Sequence, residues 1–150
     1  MNEVREIELN GRKLRVYSCG KVESFHHNKW RLSNGVKHNG YYRIQINYKT
    51  YLKHRVIAFA FLGLDIDDLI QQIDHIDRDR INNDISNLRI VSSQQNKFNV
   101  GAKGYTWDKK NNKWLAQIKF NKKSIHLGRF DTEDEAQQAY LEAKEKYHII

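Results

Sequence analysis

Between Gln71 and Asn99 the chain reads QQIDHIDRDRINNDISNLRIVSSQQNKFN, and this stretch constrains the fold more than any other. It divides into apolar QQIDHI, a polar loop DRDRINNDISN and a second apolar strand, LRIV. Ser92 followed three residues later by Gln95 is a capping-box pattern, so a helix starts at SSQQN. The unit is strand, loop, strand, helix, and one histidine, His75, stands next to Asp74 within it.

The residues before this unit alternate in short runs, LRVYSCG, KVESF, KWRLS and YYRIQINYKTYLKH, broken by Asn-Gly pairs. That pattern predicts antiparallel strands and hairpins forming a small basic sheet over residues 1–52. Next, Val56, Ile57, Ala60 and Phe61 recur at helical spacing with Gly63 as a stop, which predicts a helix over 53–62 opened by His54 and Arg55. Beyond the unit, NVGAKG is the linker candidate, placed at 100–104. GYTWDKKNNKWLAQIKFNKKSIHLGRF then alternates aromatic and cationic residues as three short strands. The final DTEDEAQQAYLEAKEKY is a helix, with Thr132 and Glu135 as its capping box and Ala136, Ala139, Tyr140, Ala143 and Tyr147 on one face.

With 150 residues, 39% of them hydrophobic, the chain has room for one ordinary domain or two very small ones. No apolar run approaches the roughly 20 residues that cross a bilayer, and MNEVREIELNGRK lacks the apolar centre of a secretory signal. A cytoplasmic protein with no membrane partner is the expectation. The single cysteine, Cys19, excludes an internal disulfide and any zinc site built from cysteine pairs.

The net charge of +8 points to an anionic partner, and its distribution says more than its total. Residues 1–70 carry 12 Lys/Arg against 7 Asp/Glu, residues 71–100 carry 4 against 4, and residues 101–150 carry 10 against 7. Basic arms flank a neutral centre. An anionic polymer touching both arms would lie across that centre, as expected where a metal ion bridges carboxylate and phosphate. The tail is itself split, with 8 Lys/Arg and 1 acid in 101–130 but 2 and 6 in 131–150, so its strands are cationic and its helix anionic.

Phosphodiester hydrolysis needs a base to activate water and a metal to stabilise the charge that grows on phosphate. His75 suits the first role. Asp74 and Asn96 offer oxygens to a hard cation, and Asn87 would hold the loop and orient the histidine. On a strand Asp74 and His75 point to opposite faces, so serving one site together would need a bend. The competing reading of the acids and amides is a solvated turn. A calcium loop starting at Asp77 is disfavoured, because Asn82 stands where the invariant glycine belongs and Leu88 where the closing glutamate belongs. Arg55 admits two readings, a phosphate contact or a structural pairing. His26, His27, His38 and His148 have no partner spacing and read as surface residues.

KHRVIAFAFLG followed by IDHIDRDRINNDISNLRIVSSQQN resembles the HNH endonucleases of phage and intron homing type, over roughly residues 15–99. The resemblance implies an α+β protein with a ββα-metal fold over 71–99. It implies that Asp74 and Asn96 bind one divalent ion, Mg2+ or Mn2+, that His75 is the general base, and that Asn87 braces it. The last motif position is Asn96 rather than His, as is common in the homing branch. Structural zinc is not expected, which places weight on an apolar core of Ile73, Ile76, Leu88, Ile90, Val91 and Phe98.

The tail, with KWLAQI, HLGRF, DTEDEA and a closing AY over residues 101–148, resembles an AP2-type DNA-binding domain. That implies a three-stranded sheet in the major groove of double-stranded DNA with the helix behind it. Thr106, Lys109, Lys113, Gln117, Lys119, His126 and Arg129 are the expected contacts, the lysines mostly to phosphate and Gln117 or Arg129 to bases. His126 stands where plant members usually have Trp. Trp107 and Trp114 would touch sugars or fill the core.

The resulting expectation is a sequence-tolerant homing endonuclease of a phage or mobile element in a bacterial host. Residues 1–99 form the nuclease and 105–150 the DNA grip, in a monomer with a dimer as alternative. A DNA-binding regulator with an inactive nuclease fold is the competing class, and an RNA-binding protein is disfavoured because the tail shows no stacking motif.

Overall fold

Two-residue hairpin turns with positive φ at both positions match the twist of the strands they join, and Asn and Gly accept that backbone most readily. The computed structural model, which describes residues 2–150, places such pairs at Asn10–Gly11, His27–Asn28, Asn39–Gly40 and Asn47–Tyr48. They connect β1 (Val4–Leu9) to β2 (Arg12–Tyr17), β3 (Val22–His26) to β4 (Lys29–Leu32), β5 (Val36–His38) to β6 (Tyr41–Ile46), and β6 to β7 (Lys49–Leu52). Only two of these turns are Asn-Gly. In the others a residue with a Cβ takes the strained position, which the sequence pattern does not announce.

The first third forms two sheets rather than the one expected: β1-β2-β3-β4 and β5-β6-β7. The break follows β4, where Gly35 has φ of 78° and packs so closely that a Cβ would stand 2.7 Å from the Arg43 carbonyl oxygen. Helix α1 (Lys53–Leu62) has the expected bounds and ends at Gly63, left-handed at φ 72°, whose N–H reaches the Ala58 carbonyl. It joins the sheets. Leu14, Val16 and Val22 of the first sheet, Ile44 and Ile46 of the second, and Val56, Ile57 and Ala58 of α1 form one buried cluster. Each fully buried Val, Leu or Ile contributes about 1.5–3 kcal/mol, so this core makes α1 a fixed support.

On that support rests the hairpin of β8 (Gln72–His75) and β9 (Leu88–Val91), antiparallel with Asp74 opposite Arg89 and His75 opposite Leu88. Helix α2 (Ser93–Asn96) is a single turn. Its capping box is formed: Gln95 N–H donates to Ser92 Oγ at 3.2 Å and Ser92 N–H to Gln95 Oε1 at 2.9 Å. Ile73, Leu88 and Val91 are buried as expected, but Ile76 lies past the end of β8 and is 45% exposed.

The chain divides into two units, Met1–Asn96 and Lys97–Ile150. The boundary therefore falls ahead of the expected linker at 100–104. Phe98 explains this, because it belongs to the second unit, stacked 4.1 Å from His148 at 4° and 6.4 Å from Phe120. His148, read as a partnerless surface histidine, also donates from Nε2 to the Lys119 carbonyl at 2.9 Å. The second unit has β10 (Tyr105–Asp108), β11 (Lys113–Phe120) and β12 (Lys123–Phe130) in that order, then α3 (Glu133–Tyr147). Thr132 and Glu135 form the expected capping box, and Ile118, Tyr140 and Ala143 form the core. No helix among the described residues is long and apolar enough to cross a membrane.

Candidate active site

Burial at the β8–β9 hairpin is polar where a folding core would be apolar. His54, Asp74, His75, Asn83 and Asn87 are all less than a tenth exposed. Such groups are tolerated inside a protein only when paired. His75, the last residue of β8, has its Nε2 3.2 Å from Oδ1 of Asn83. Its ring meets His54 edge-on at 5.1 Å and lies 6.1 Å from the Tyr41 ring, over which Arg80 is placed at 5.1 Å. Sequence reasoning passed over Asn83; the only signal for it was the second position of an Asn-Asn pair in the loop.

Asp74 is held by Arg89, whose Nη2 and Nε reach Oδ2 at 2.7 and 2.9 Å. This pair too was missed, although facing residues of opposite charge on neighbouring strands are a recognisable signal. Asn96 donates from Nδ2 to Gln72 Oε1 at 2.7 Å. Gln72 and Asp74 share one face of β8 by alternation, so α2 brings Asn96 to the Asp74 face. The Asn96 amide nitrogen faces Gln72, so its oxygen is the atom that could meet a cation. A carboxylate and an amide oxygen on one face are the donor types a hard divalent ion takes. Among the described residues there is no cluster of three or more His, Cys, Asp and Glu, and an Asp–Asn pair needs none. His75 turns to the other face, toward His54, and as the last residue of β8 it stands at the strand end.

Asn87 spans the loop. Its Oδ1 accepts from Asp77 N–H at 2.9 Å, and its Nδ2 donates to Asp77 Oδ1 and to the Asn82 carbonyl, each at 2.9 Å. Its own carbonyl accepts from Ile76 N–H at 2.9 Å. Asn87 thus bonds to the loop, while the amide oxygen at the His75 ring is that of Asn83. The loop acids are turn formers: Asp77, Asp79 and Asp84 each accept from a backbone N–H two residues on. The Asn82 amide, foremost, with backbone N–H of Asp79, holds the Asp77 carboxyl below the usual range.

Arg55, for which the sequence leaves both a phosphate contact and a structural pairing open, donates to backbone carbonyls: Gln71 at 2.8 Å, Asp68 at 2.6 Å, Asp65 at 3.3 Å and Ile66 at 3.4 Å. It ties the chain between α1 and β8. Burial, with lesser repulsion from His75 and Arg55, pushes the His54 imidazole down to about 3 from 6.5. Between those values the unfolded chain takes up a proton that the native state refuses, so stability falls as pH drops below 6.5. This group alone should remove about 1.4 kcal/mol per pH unit in that window. Urea unfolding of wild type and His54→Gln at pH values spanning 5 to 7 checks it; equal slopes for the two would refute it.

In the second unit, register and alternation place Thr106, Lys113, Gln117, Lys119, His126 and Arg129 on one sheet face, with Lys109 in the turn after β10. Some of these side chains are engaged within that unit. Arg129 pairs with Asp108 at 2.9 Å, Lys113 pairs with Asp131, and Gln117 Oε1 accepts from Ser124 Oγ at 3.2 Å. Hydrogen bonds from Asn111, foremost, and Arg129 lower the Asp108 carboxyl to about 2. Trp107 and Trp114 are directly paired across strands at 5.3 Å, on the face that also carries buried Ala116. They do not lie on the face with the cations.

A solved structure concerned with DNA binding and cleavage by the HNH homing endonuclease I-HmuI is similar at 28% identity and a TM-score of 0.49, over 63% of this chain and 56% of that one. The chain thus spans little more than half of that relative. No curated protein matches. The family model described as HNH endonuclease matches residues 51–98, roughly a third of the chain.

Proposed function

We propose that the protein is a metal-dependent DNA endonuclease of homing type, encoded by a phage or mobile element and acting in the cytoplasm of its host. The observation that carries this reading is the buried His75, held by Asn83 and adjacent to Asp74, within the segment that matches the HNH endonucleases. The phosphate would lie across the end of β8, where His75 stands. His75 takes a proton from the attacking water there. A divalent ion on the Asp74 and Asn96 oxygens, Mg2+ or Mn2+, would stabilise charge on the phosphate and the leaving 3′ oxygen. Arg89 then shares or releases the Asp74 carboxylate.

The second unit would add grip. Its three strands and single helix support an AP2-like reading, with Thr106, Lys109, Gln117, Lys119, His126 and Arg129 as the exposed members of the expected contact set. The Asp74–Arg89 ion pair favours the second reading, a DNA-binding regulator whose nuclease fold is inactive. Supercoiled plasmid separates them. Nicked or linear product with Mg2+ or Mn2+ and none with EDTA is expected. Binding with no cutting in any metal would leave the regulator.

A further inference from the structure

The amide that meets the base comes from outside the motif's expected four residues. Asn83 is 6% exposed and places Oδ1 3.2 Å from the His75 Nε2. An amide oxygen only accepts, so the nitrogen facing it carries the proton, and a neutral imidazole has one. The lone pair that takes a proton from water is then on Nδ1.

Asn83 is held from behind. Ile85 N–H donates to the Ser18 carbonyl at 2.7 Å, which ties the loop to the turn between β2 and β3. In that turn Gly20, at φ 83°, packs so tightly that a Cβ would stand 2.7 Å from the Asn83 carbonyl oxygen and 3.0 Å from its Cβ. Backbone atoms have no flexible end to move aside. On the reading of His75 as general base, we infer that Asn83 is a positioning residue that keeps the His75 proton on Nε2, and that the Ser18-to-Gly20 turn holds Asn83 there. A turn of the N-terminal sheet, outside residues 51–98, is therefore part of the apparatus that sets the base.

The test uses the full chain and two readouts. The first is the 15N spectrum of the His75 ring in metal-free, DNA-free protein in mildly alkaline buffer, which reports the tautomer. The second is kcat and KM for plasmid cleavage. Four variants are compared: Asn83→Leu, similar in size but without an acceptor; Asn83→Asp, which keeps one; Gly20→Ala; and Gly11→Ala. Gly11 has φ of 70° but its nearest contact is Asn47 Nδ2 at 3.7 Å, so it carries the backbone strain without the collision.

Asn83→Leu and Gly20→Ala should mix the tautomers and lower kcat about 10–100-fold with KM unchanged. Asn83→Asp, which keeps an acceptor at the ring, should hold the proton on Nε2, and Gly11→Ala should stay near wild type in both readouts. The inference is overturned if Asn83→Leu keeps the Nε2 proton, or if Gly11→Ala loses as much kcat as Gly20→Ala. The ring spectrum needs no cleavage: a tautomer shift in a protein that never cuts supports the positioning while removing the nuclease reading. Cutting by wild type with an unmoved tautomer in Asn83→Leu overturns the positioning alone.

Discussion

Replacing His75 with Ala should lower metal-dependent plasmid cleavage by about 10²–10⁴-fold, the contribution of a positioned general base, and leave DNA affinity measured in EDTA within error of wild type. The ring is buried among His54, Tyr41 and Asn83. His75→Asn serves as the companion variant, because it leaves a smaller cavity and still cannot supply the base. Thermal unfolding of both variants shows whether the loss is local. Cleavage at the wild-type rate by either folded variant would remove His75 from the chemistry.

The expectation rests on local order that the sequence states openly and on pairings that it does not. Helix α1 was legible because its apolar spacing and its Gly63 stop are both local signals. The capping boxes at Ser92 and Thr132 were legible for the same reason, each being complete within four residues. The two N-terminal sheets were not separable, because a close approach between Gly35 and Arg43 is invisible before the chain is folded. Asn83 escaped notice on similar grounds. An Asn-Asn pair in a polar loop has the composition of a solvated turn, and only the tertiary contacts to His75 and Gly20 distinguish it. Phe98 was assigned to the wrong core because its partners, Phe120 and His148, are far away in the chain.

Arg55 shows the same gap with a measurable consequence. A cation in the first turn of a helix opposes the helix dipole, so α1 gains nothing from it locally. Its compensation is the set of carbonyls from Asp65, Ile66, Asp68 and Gln71, which otherwise lie in a connecting segment without regular structure. Hydrogen bonds from a charged donor are worth about 1.5–3 kcal/mol, and removing the donor leaves several partly buried acceptors short of a partner. Arg55→Met should therefore reduce the unfolding free energy by about 3 kcal/mol, read from urea denaturation. A phosphate contact makes a different signature: stability nearly unchanged, and a slope of log affinity against log salt shallower by about one. The brace predicts the stability loss with an unchanged salt slope, and the opposite pair of results would return Arg55 to the DNA surface. Because the segment it ties leads directly into β8, the brace also predicts that Arg55→Met lowers cleavage at temperatures where the variant is still folded, by loosening the strand that ends in His75.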